Sequence, residues 1–507
     1  MKKFILSSFI VFISLSAYTQ VDIKSIDKYI EKARKDWNVP GMAVAIVKDG
    51  EVILSKGYGV KELGKKEKVD DNTIFAIASN SKAFVSSSIA KLVEEEKLSW
   101  DDKVQDYLPY FSLYDDKYVS SEITVKDLLC HRAGLGTFSG DVIWYKSEKS
   151  PEEILKNAAY VSKAFDFRDG YGYTNLMFIA AGEVIRAVTG QPWESFVKEN
   201  FMNPLGMSNT VISVSDLNNN VATPHKPTLE NGTVPIEWAS WDNSSAAGGI
   251  ISSSTDMAKW MMMQLNGGTW GETEYLKKNT QNYMWVPHNP FYISEGSREF
   301  LPGRHFAGYG LGWSLMDYHG NLVASHGGGY DGMYSRVMLI PDLKLGVVVL
   351  TNSMEGISTP LTYYIANQYI QKDMRDWSKE YLDRSRSRNG HKDDVEERRA
   401  SRIADTTPSK KITDYVGTYY DPMFGEITVS EKEGALRMAF EKAPELAATL
   451  EHWHYDTYEI KWDKEHAWFD FGTVQFVLDN NQKVTEIEFD VPNGDIFFHE
   501  IHPKRKN

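Results

Sequence analysis

The composition of the sequence changes between residues 372 and 411, and this segment separates the chain into two parts. The segment is dense in charges of both signs and nearly free of large aliphatic side chains, so it cannot bury a core of its own. Before it, apolar runs with helical spacing and β-rich runs both occur. After it, short runs such as YEIKW and VQFVLD alternate apolar and polar residues between turn signals. The pattern predicts two folded units joined by a charged, partly helical linker.

The larger, N-terminal unit carries strand signals at both ends and helical signals between them. Two β-rich runs meet at Asp49-Gly50, a pair typical of a two-residue hairpin turn. Residues 23–37, 79–95 and 175–188 have helical spacing of apolar side chains. We therefore expect an α+β unit with an antiparallel sheet that the N-terminal hairpin completes, followed by a small antiparallel barrel or sandwich. Further β-rich runs begin at Leu311, Leu322, Ser335 and Leu345.

The first 19 residues have the layout of a cleavable export signal. Lys2 and Lys3 precede an apolar run from Phe4 to about Ala17, and small residues follow it. A retained membrane anchor is the weaker alternative, because the run is shorter than the roughly 20 residues that span a bilayer. We expect a mature chain that begins near Gln20, is exported to the periplasm or the medium, and has no transmembrane segment.

Charge and cysteine content narrow the range of partners. The chain has 70 acidic against 56 basic residues, a net charge of −14, so nucleic acid and anionic membrane surfaces are not expected partners. Cys130 is the single cysteine, which excludes an internal disulfide and any cysteine-based metal cluster, and we expect a buried structural thiol. His452 and His454 lie two apart on a predicted strand, where a solvent-exposed face explains them better than a metal site.

The stretch FAIASNSKAF places Ser79 three residues before Lys82 in an otherwise apolar run. Residues three apart share one face of a helix, so the two side chains can touch. A lysine buried among apolar turns loses part of its preference for the charged state and becomes a base for the serine proton. The spacing alone is weak evidence, because Ser25 and Lys28 repeat it in a charged helix, and Lys82 could also snorkel to water.

Two later segments carry side chains that can complete such a site. Tyr173 and Asn175 flank a threonine just before a helix; a phenol can relay protons, and an amide can orient the lysine and bind a carbonyl. Further on, a β-rich run ends at His326 and continues into three glycines. Glycines at a strand edge allow close approach of an extended substrate or an oxyanion. A surface turn with an exposed histidine explains this last segment equally well.

Together these segments resemble the serine β-lactamase and penicillin-binding protein superfamily, in particular its branch of class C β-lactamases, esterases and D-aminopeptidases. The resemblance covers roughly residues 23–371 and includes the phrases VPGMAVAIVKDGEV, ITVKDLLCHRAGL, AAGGIISSSTDMAKW and YGLGW. It implies a β-lactamase/transpeptidase-like fold with a helical subdomain, followed by a lipocalin-like barrel. The expected division is a signal at residues 1–19, a hydrolase domain at 20–371, a linker at 372–411 and a barrel at 412–507.

The resemblance also implies a set of site residues. In that family the oxyanion hole is made by backbone N–H groups, here those of Ser79 and Gly329. The family usually has lysine at the position of His326, and a histidine of pKa about 6.5 supplies that positive charge only in part at neutral pH. Efficient β-lactam hydrolysis is therefore not expected. The implied roles are Ser79 as nucleophile, Lys82 and Tyr173 as the general acid/base pair, Asn175 as a substrate-binding amide, and His326, Gly328 and Gly329 as the third, substrate-binding element.

We predict an exported serine hydrolase that acts through an acyl-enzyme on an ester, amide or D-amino-acid peptide, with no metal or organic cofactor. Its partner is a small-molecule or peptide substrate, and the oligomeric state is left open. One alternative is a penicillin-recognising or muropeptide-binding sensor that acylates without turnover. Another is a barrel that binds a ligand independently. No Gly-x-Ser-x-Gly elbow occurs, which argues against an α/β-hydrolase.

Two long aromatic-rich segments, residues 221–245 and 279–306, show little regular periodicity. Loops of this length within a folded unit are usually functional, so we expect them to form the substrate rim. Packing of the same side chains onto the core or the barrel is the alternative. The aromatic residues concerned are Trp238, Trp241, Tyr283, Trp285, Phe291, Tyr292 and Phe300.

Overall fold

A computed structural model describes residues 21–228, 232–370, 375–387 and 390–506. The predicted export signal at residues 1–19 lies outside this range. Within the described residues, no helix combines the length and the apolar character needed to cross a membrane.

An eight-stranded antiparallel sheet forms the centre of the N-terminal unit. Its strands are β1 (Gly41–Lys48), β2 (Glu51–Gly59), β3 (Asn289–Pro290), β4 (Ala307–Tyr309), β5 (Ser314–Tyr318), β6 (Asn321–Tyr330), β7 (Met333–Ile340) and β8 (Leu345–Thr351). The spatial order is β2-β1-β8-β7-β6-β5-β4-β3. The predicted hairpin is confirmed: Asp49 and Gly50 have φ of 54° and 83°, which the tight turn requires. Val44 of β1 faces Val349 of β8, so the two sequence ends of the unit meet.

Helices cover both faces of this sheet. The longer ones are α1 (Ile23–Asp36), α2 (Ser81–Glu94), α3 (Asn175–Thr189), α4 (Ser254–Leu265), α5 (Ser358–Ile370), α6 (Trp377–Ser387) and α7 (Gly390–Ala400). Shorter helices are Val104–Tyr107, Lys117–Glu122, Val125–Leu129, Pro151–Asn157, Trp193–Val197, Ser245–Gly248, Lys278–Met284, Glu295–Phe300 and Ile412–Tyr415. Three short ribbons pair Phe75–Ala76 with Ile251–Ser252, His225–Thr228 with Gly232–Pro235, and Thr269–Trp270 with Thr273–Glu274.

The strand β1 shows why its sequence is apolar without interruption. Ala43 and Ala45 point into the core that contains α2 and α4, whereas Met42 and Val44 point into a second core under α1 and α5. A strand that is buried on both faces needs apolar side chains at every position. The sheet therefore separates two cores, and the Ser-x-x-Lys segment lies on the side of α2.

The predicted linker folds into α6 and α7. Trp377 of α6 is buried and stacks on Tyr363 of α5 at 5.0 Å between ring centroids. Val395 of α7 is buried against the second folded unit. The many charges of this segment lie on the exposed faces of two helices that use only a few apolar side chains for packing. The expected partial helicity is confirmed, whereas the domain boundaries themselves stay predictions.

The C-terminal unit is a closed eight-stranded antiparallel barrel, which confirms the all-β prediction and decides between barrel and sandwich. Its strands are β9 (Gly417–Asp421), β10 (Gly425–Lys432), β11 (Ala435–Phe440), β12 (Ala448–His454), β13 (Thr457–Trp462), β14 (Thr473–Leu478), β15 (Val484–Asp490) and β16 (Lys504–Arg505). The first and last strands close the barrel by pairing Tyr419 with Arg505. Its likeness to lipocalins stays a prediction.

The barrel is packed onto the N-terminal unit. Lys226 is buried between the units: its ammonium donates to the carbonyl of His466 at 2.8 Å and pairs with Glu465 at 2.7 Å and with Asp470. On the other side, the backbone N–H of Gly140 donates to Glu500 at 2.8 Å. One continuous set of buried apolar residues contains members of both units. The barrel is therefore fixed over one side of the N-terminal unit.

Candidate active site

Ser79 lies in a short 3₁₀ turn, Ala78–Asn80, which leads directly into α2. Ala78 has φ of 48°, a left-handed conformation that is strained for a residue with a side chain. The strand β6 packs closely against this turn, since a Cβ on Gly328 would lie 2.3 Å from the carbonyl oxygen of Ile77. The Ser79 side chain is partly exposed, whereas its neighbours are buried. This geometry presents one hydroxyl at the surface of a pocket.

Lys82 follows one turn later and is completely buried. Its ammonium donates to Ser79 Oγ at 3.0 Å, to Asn175 Oδ1 at 2.7 Å and to the Ala247 carbonyl at 2.7 Å. Burial lowers the pKa of Lys82 to about 7, although the charge of Asp141 opposes this shift. The predicted contact between serine and lysine is present, and the snorkelling alternative is wrong. A lysine in this state can accept a proton from the serine near neutral pH.

Asp141 is a buried carboxyl that the sequence analysis missed. It accepts a hydrogen bond from Asn175 Nδ2 at 2.6 Å and one from Trp144 Nε1 at 2.8 Å. Burial raises its pKa to about 8, against the effect of these two donors. Asn175 therefore orients Lys82 through its carbonyl oxygen and is itself oriented by Asp141. The feature of the sequence that could have indicated Asp141 is its position as a single acidic residue directly before the apolar run VIWY.

Tyr173 stands beside the serine and the lysine. Its hydroxyl is buried and makes no hydrogen bond of standard geometry with any described residue, and its ring centroid lies 4.8 Å from Lys82 Nζ. Burial raises the pKa of this phenol well above its ordinary value, and the nearby Ser79 hydroxyl offsets only part of the shift. The ring of His131, also missed in the sequence, supports Tyr173 with 4.3 Å between ring centroids. The phenol is therefore neutral, and a neutral phenol can donate a proton.

His326 lies on β6 at the pocket, but its charge differs from the expectation. Burial, with the Lys82 charge as a second cause, lowers the pKa of His326 to about 3. The Tyr309 hydroxyl donates to Nε2 at 2.7 Å, and Nδ1–H donates to the Gly327 carbonyl at 2.5 Å. The expected partial positive charge is therefore wrong, because the ring is buried beside a lysine. This strand offers a substrate carboxylate no cation.

A cavity of about 220 Å³ opens at Ser79. Gly329 lines it together with Ser79, as the oxyanion prediction requires, whereas Gly328 lies beneath the turn and supports it. Within the described part of the chain, no group of three or more His, Cys, Asp or Glu side chains is arranged to hold a metal ion. Further side chains at the cavity are Phe138, Asp141, Trp144, Tyr173, Asn175, Trp241, His326, Trp468, Asp495 and Ile496.

The predicted aromatic rim is largely a set of packing residues. Trp241 lines the cavity, as expected. Trp285 instead packs edge-on against Trp313, and Phe300 packs against Trp377 on α6. Trp468, a residue of the barrel, supplies part of the aromatic lining of the cavity that was expected from the two long segments. Sequence reasoning missed Trp468, Asp495 and Ile496 because the barrel follows Ser79 by more than 300 residues.

Comparison with known proteins gives three further results. Residues 26–369 match the family described as Beta-lactamase, and residues 401–505 match a domain of unknown function, DUF3471. The chain is 28% identical over 423 residues to the Unguisins hydrolase ungD' of Aspergillus campestris (strain IBT 28561), with 78% of this chain and 75% of the relative covered.

Solved structures share the fold at lower identity. The octameric penicillin-binding protein homologue from Pyrococcus abyssi superposes with a TM-score of 0.61 at 20% identity, over 96% of this chain and 100% of that chain. A D-stereospecific amidohydrolase from Streptomyces sp. gives 0.56 at 22% identity, over 69% and 100%.

Fold and relatives define the class as β-lactamase-related, penicillin-binding-protein-like serine hydrolases. Because the family match covers more than half of the sequence, the chain belongs to the Beta-lactamase family. The predicted fold and the predicted enzyme class are both confirmed.

Proposed function

We propose that this protein is an exported hydrolase that cleaves an ester, amide or D-amino-acid peptide through an acyl-enzyme on Ser79. The observation that carries the proposal is the 3.0 Å contact between Ser79 Oγ and the buried amine of Lys82. A general base works best when its pKa lies near the working pH, and burial brings the pKa of Lys82 to about 7.

The side chains divide the proton transfers between them. Ser79 Oγ attacks the substrate carbonyl carbon and gives its proton to the neutral amine of Lys82. Negative charge develops on the carbonyl oxygen, which the backbone N–H groups of Ser79 and Gly329 stabilise. When the tetrahedral intermediate collapses, the leaving group takes a proton from Tyr173, whose pKa burial holds high, and the phenolate regains a proton from the Lys82 ammonium. Water then attacks the ester on Ser79 and gives a proton to the neutral amine of Lys82. As the acyl group leaves as the free acid, Ser79 Oγ takes that proton from Lys82.

The substrate range follows from what the pocket lacks. His326 is neutral, so the usual cationic partner of a substrate carboxylate is missing on β6. Relatives are named as a hydrolase of unguisins and as a D-stereospecific amidohydrolase, which supports including amides of D-amino acids beside simple esters.

The export part of the proposal rests on the layout of residues 1–19.

A labelling experiment tests the nucleophile. Purified protein, wild type and Ser79→Ala, is treated with a fluorophosphonate probe, and we expect the variant to lose all labelling. Lys82→Ala and Tyr173→Phe should each slow labelling by about 100-fold or more, as loss of a general acid or base does. Ser25→Ala is the matched control, because Ser25 precedes Lys28 by the same spacing in an exposed helix turn. Undiminished labelling of the Ser79 variant would reject the assignment.

Turnover distinguishes the enzyme from a sensor. The wild type is assayed with p-nitrophenyl esters, D-amino-acid p-nitroanilides and a chromogenic cephalosporin. We expect steady release of product from an ester or anilide over many turnovers. A stoichiometric burst that stops after one equivalent would overturn the hydrolase proposal in favour of a sensor.

A further inference from the structure

The hydroxyl of Tyr173 has no hydrogen-bond partner among the described residues. Its position therefore depends on the groups that hold the ring and the backbone of this tyrosine. A displacement of about 1 Å can slow a proton transfer or an attack by about 100-fold. The residues that fix Tyr173 consequently matter for the step in which its phenol protonates the leaving group.

His131 holds the backbone on both sides of Tyr173. Its carbonyl accepts a hydrogen bond from the N–H of Gly172 at 3.1 Å, and its Nδ1 accepts one from the N–H of Thr174 at 3.3 Å. The carbonyl of Tyr173 itself accepts a hydrogen bond from the N–H of Phe138 at 2.7 Å. One histidine, through its main chain and its side chain, thus fixes the peptide groups before and after the tyrosine.

The ring of His131 also packs against the ring of Tyr173, with 4.3 Å between centroids and 36° between planes. Burial, with the Lys82 charge as a second cause, lowers the pKa of His131 well below its ordinary value, so the ring is neutral. A neutral imidazole has one acceptor nitrogen, whereas a protonated ring has none. Burial therefore keeps His131 in the form that can accept the hydrogen bond from Thr174.

The conformation of His131 is strained, and Asn289 of β3 supports it. His131 has φ of 57°, a left-handed value that is uncommon for a residue with a side chain. The buried amide of Asn289 donates to the carbonyls of Cys130 at 3.1 Å, His131 at 3.3 Å and Gly170 at 2.9 Å. Asn289 thereby joins the segment of His131 to the loop that leads to Tyr173. Backbone strain that the surroundings maintain in this way is typical of functional regions.

We propose that His131, supported by Asn289, is a positioning residue that places the Tyr173 phenol for protonation of the leaving group. It then determines which bonds the enzyme cleaves well. Amides and alkyl esters need a proton on the leaving group and depend on His131, whereas activated aryl esters depend on it much less. The inference rests on the proposed acyl-enzyme function and assigns a determinant of its substrate range.

Two butyrate esters that differ only in the leaving group test this inference in the full-length protein. Both form the same acyl-enzyme, but p-nitrophenolate leaves without a proton and methoxide takes one as it leaves. The measured quantity is the ratio of kcat/KM for p-nitrophenyl butyrate to kcat/KM for methyl butyrate. We expect Tyr173→Phe to raise this ratio by about 100-fold, the effect of a lost general acid. His131→Ala should raise it by about 10-fold or more, because the phenol is displaced.

Two further variants separate positioning from a general loss of structure. Asparagine accepts a left-handed φ and offers an acceptor oxygen but no ring, so the ratio of His131→Asn should lie between those of His131→Ala and the wild type. In the double variant His131→Ala/Tyr173→Phe, the ratio should equal that of Tyr173→Phe, because the histidine acts through the phenol. A double variant in which the two effects multiply would overturn the inference, and so would a wild-type ratio in His131→Ala.

His225→Ala is the matched control. His225 is also buried and its Nε2 accepts a hydrogen bond from a backbone N–H, that of Leu63 at 2.9 Å, but its Nδ1 contacts the carbonyl of Asn352 and not the segment of Tyr173. Its ratio should match the wild type even if its melting temperature falls.

The remaining outcomes separate this inference from the acyl-enzyme proposal. If His131→Ala does not fold, His131→Asn and Asn289→Ala replace it, and wild-type ratios in both would overturn the inference. An unchanged ratio in Tyr173→Phe would overturn the proposed role of the phenol and this inference with it. Absence of fluorophosphonate labelling in the wild type would instead overturn the acyl-enzyme.

Discussion

Lys82 and Asp141 are two buried ionisable groups joined through the amide of Asn175. Burial lowers the pKa of the lysine to about 7 and raises the pKa of the aspartate to about 8. Each group weakens the shift of the other, because opposite charges favour ionisation. The lysine in the pair touches the serine, so in the proposed mechanism the aspartate is a positioning residue that also affects the strength of the base.

This pair predicts a pH effect. If neutral Lys82 is the active form, kcat/KM for an ester rises with pH through about 7. Asp141→Asn removes the carboxylate that opposes the lowering of the Lys82 pKa, so this pKa falls further and the rise should move to lower pH. The measurement is the pH profile of kcat/KM for a p-nitrophenyl ester.

Asp331→Asn is the matched control for this profile. Asp331 is also buried and accepts a hydrogen bond from a tryptophan, Trp241 Nε1 at 2.9 Å, but its charge does not act on Lys82. In the Asp331→Asn variant, kcat/KM should rise with pH at the same position as in the wild type. If this rise stays in place or moves to higher pH in Asp141→Asn, the proposed coupling is contradicted.

The strand β6 and the turn of Ser79 are in closer contact than any side chain at Gly328 would allow. A Cβ there would lie 2.3 Å from the Ile77 carbonyl and 2.4 Å from Ser335 Oγ. We expect Gly328→Ala to push the turn out of position and to slow fluorophosphonate labelling by about 100-fold, as a displacement of about 1 Å does.

The neighbouring glycine separates this steric effect from a general weakening of the strand. A Cβ on Gly327 has Arg336 Nη1 as its nearest neighbour, at 3.8 Å, so Gly327→Ala should keep labelling close to the wild-type rate. Equal rates for the two variants would show that the close contact between β6 and the turn does not position Ser79.

At the scale of the whole molecule, the barrel contributes part of the lining of the cavity at Ser79, so both folded units form the candidate site. Lys226 anchors the loop of residues 465–470, which carries Trp468 to Ser79. Lys226→Met should free this loop, raise KM for an ester by about 10-fold or more, and change kcat less, because the catalytic groups belong to the other unit.

Lys464→Met serves as the control at the same interface. Lys464 is half-exposed and pairs with Glu237 at 3.8 Å and Glu445 at 3.6 Å, contacts that contribute about 0–1 kcal/mol. Its KM should match the wild type. If Lys226→Met binds the ester as well as Lys464→Met does, the loop is not part of the substrate site.

The sequence by itself determined the features that depend on neighbours along the chain. Asp49-Gly50 specified the hairpin turn because few residues accept its positive φ values. The three-residue spacing of Ser79 and Lys82 placed their side chains together on one helix face. Alternating apolar residues after residue 411 specified the strands of the barrel.

The tertiary structure decided everything that depends on burial or on distant partners. Complete burial, and not the identity of the residue, brings the pKa of Lys82 to about 7 and that of His326 to about 3. Asp141 and Asp495 meet the site only because folding brings them there from 62 and more than 400 residues away from Ser79. A local pattern carries no information about the solvent or the charges around a side chain, so the specificity of this pocket becomes visible only when the barrel is in place.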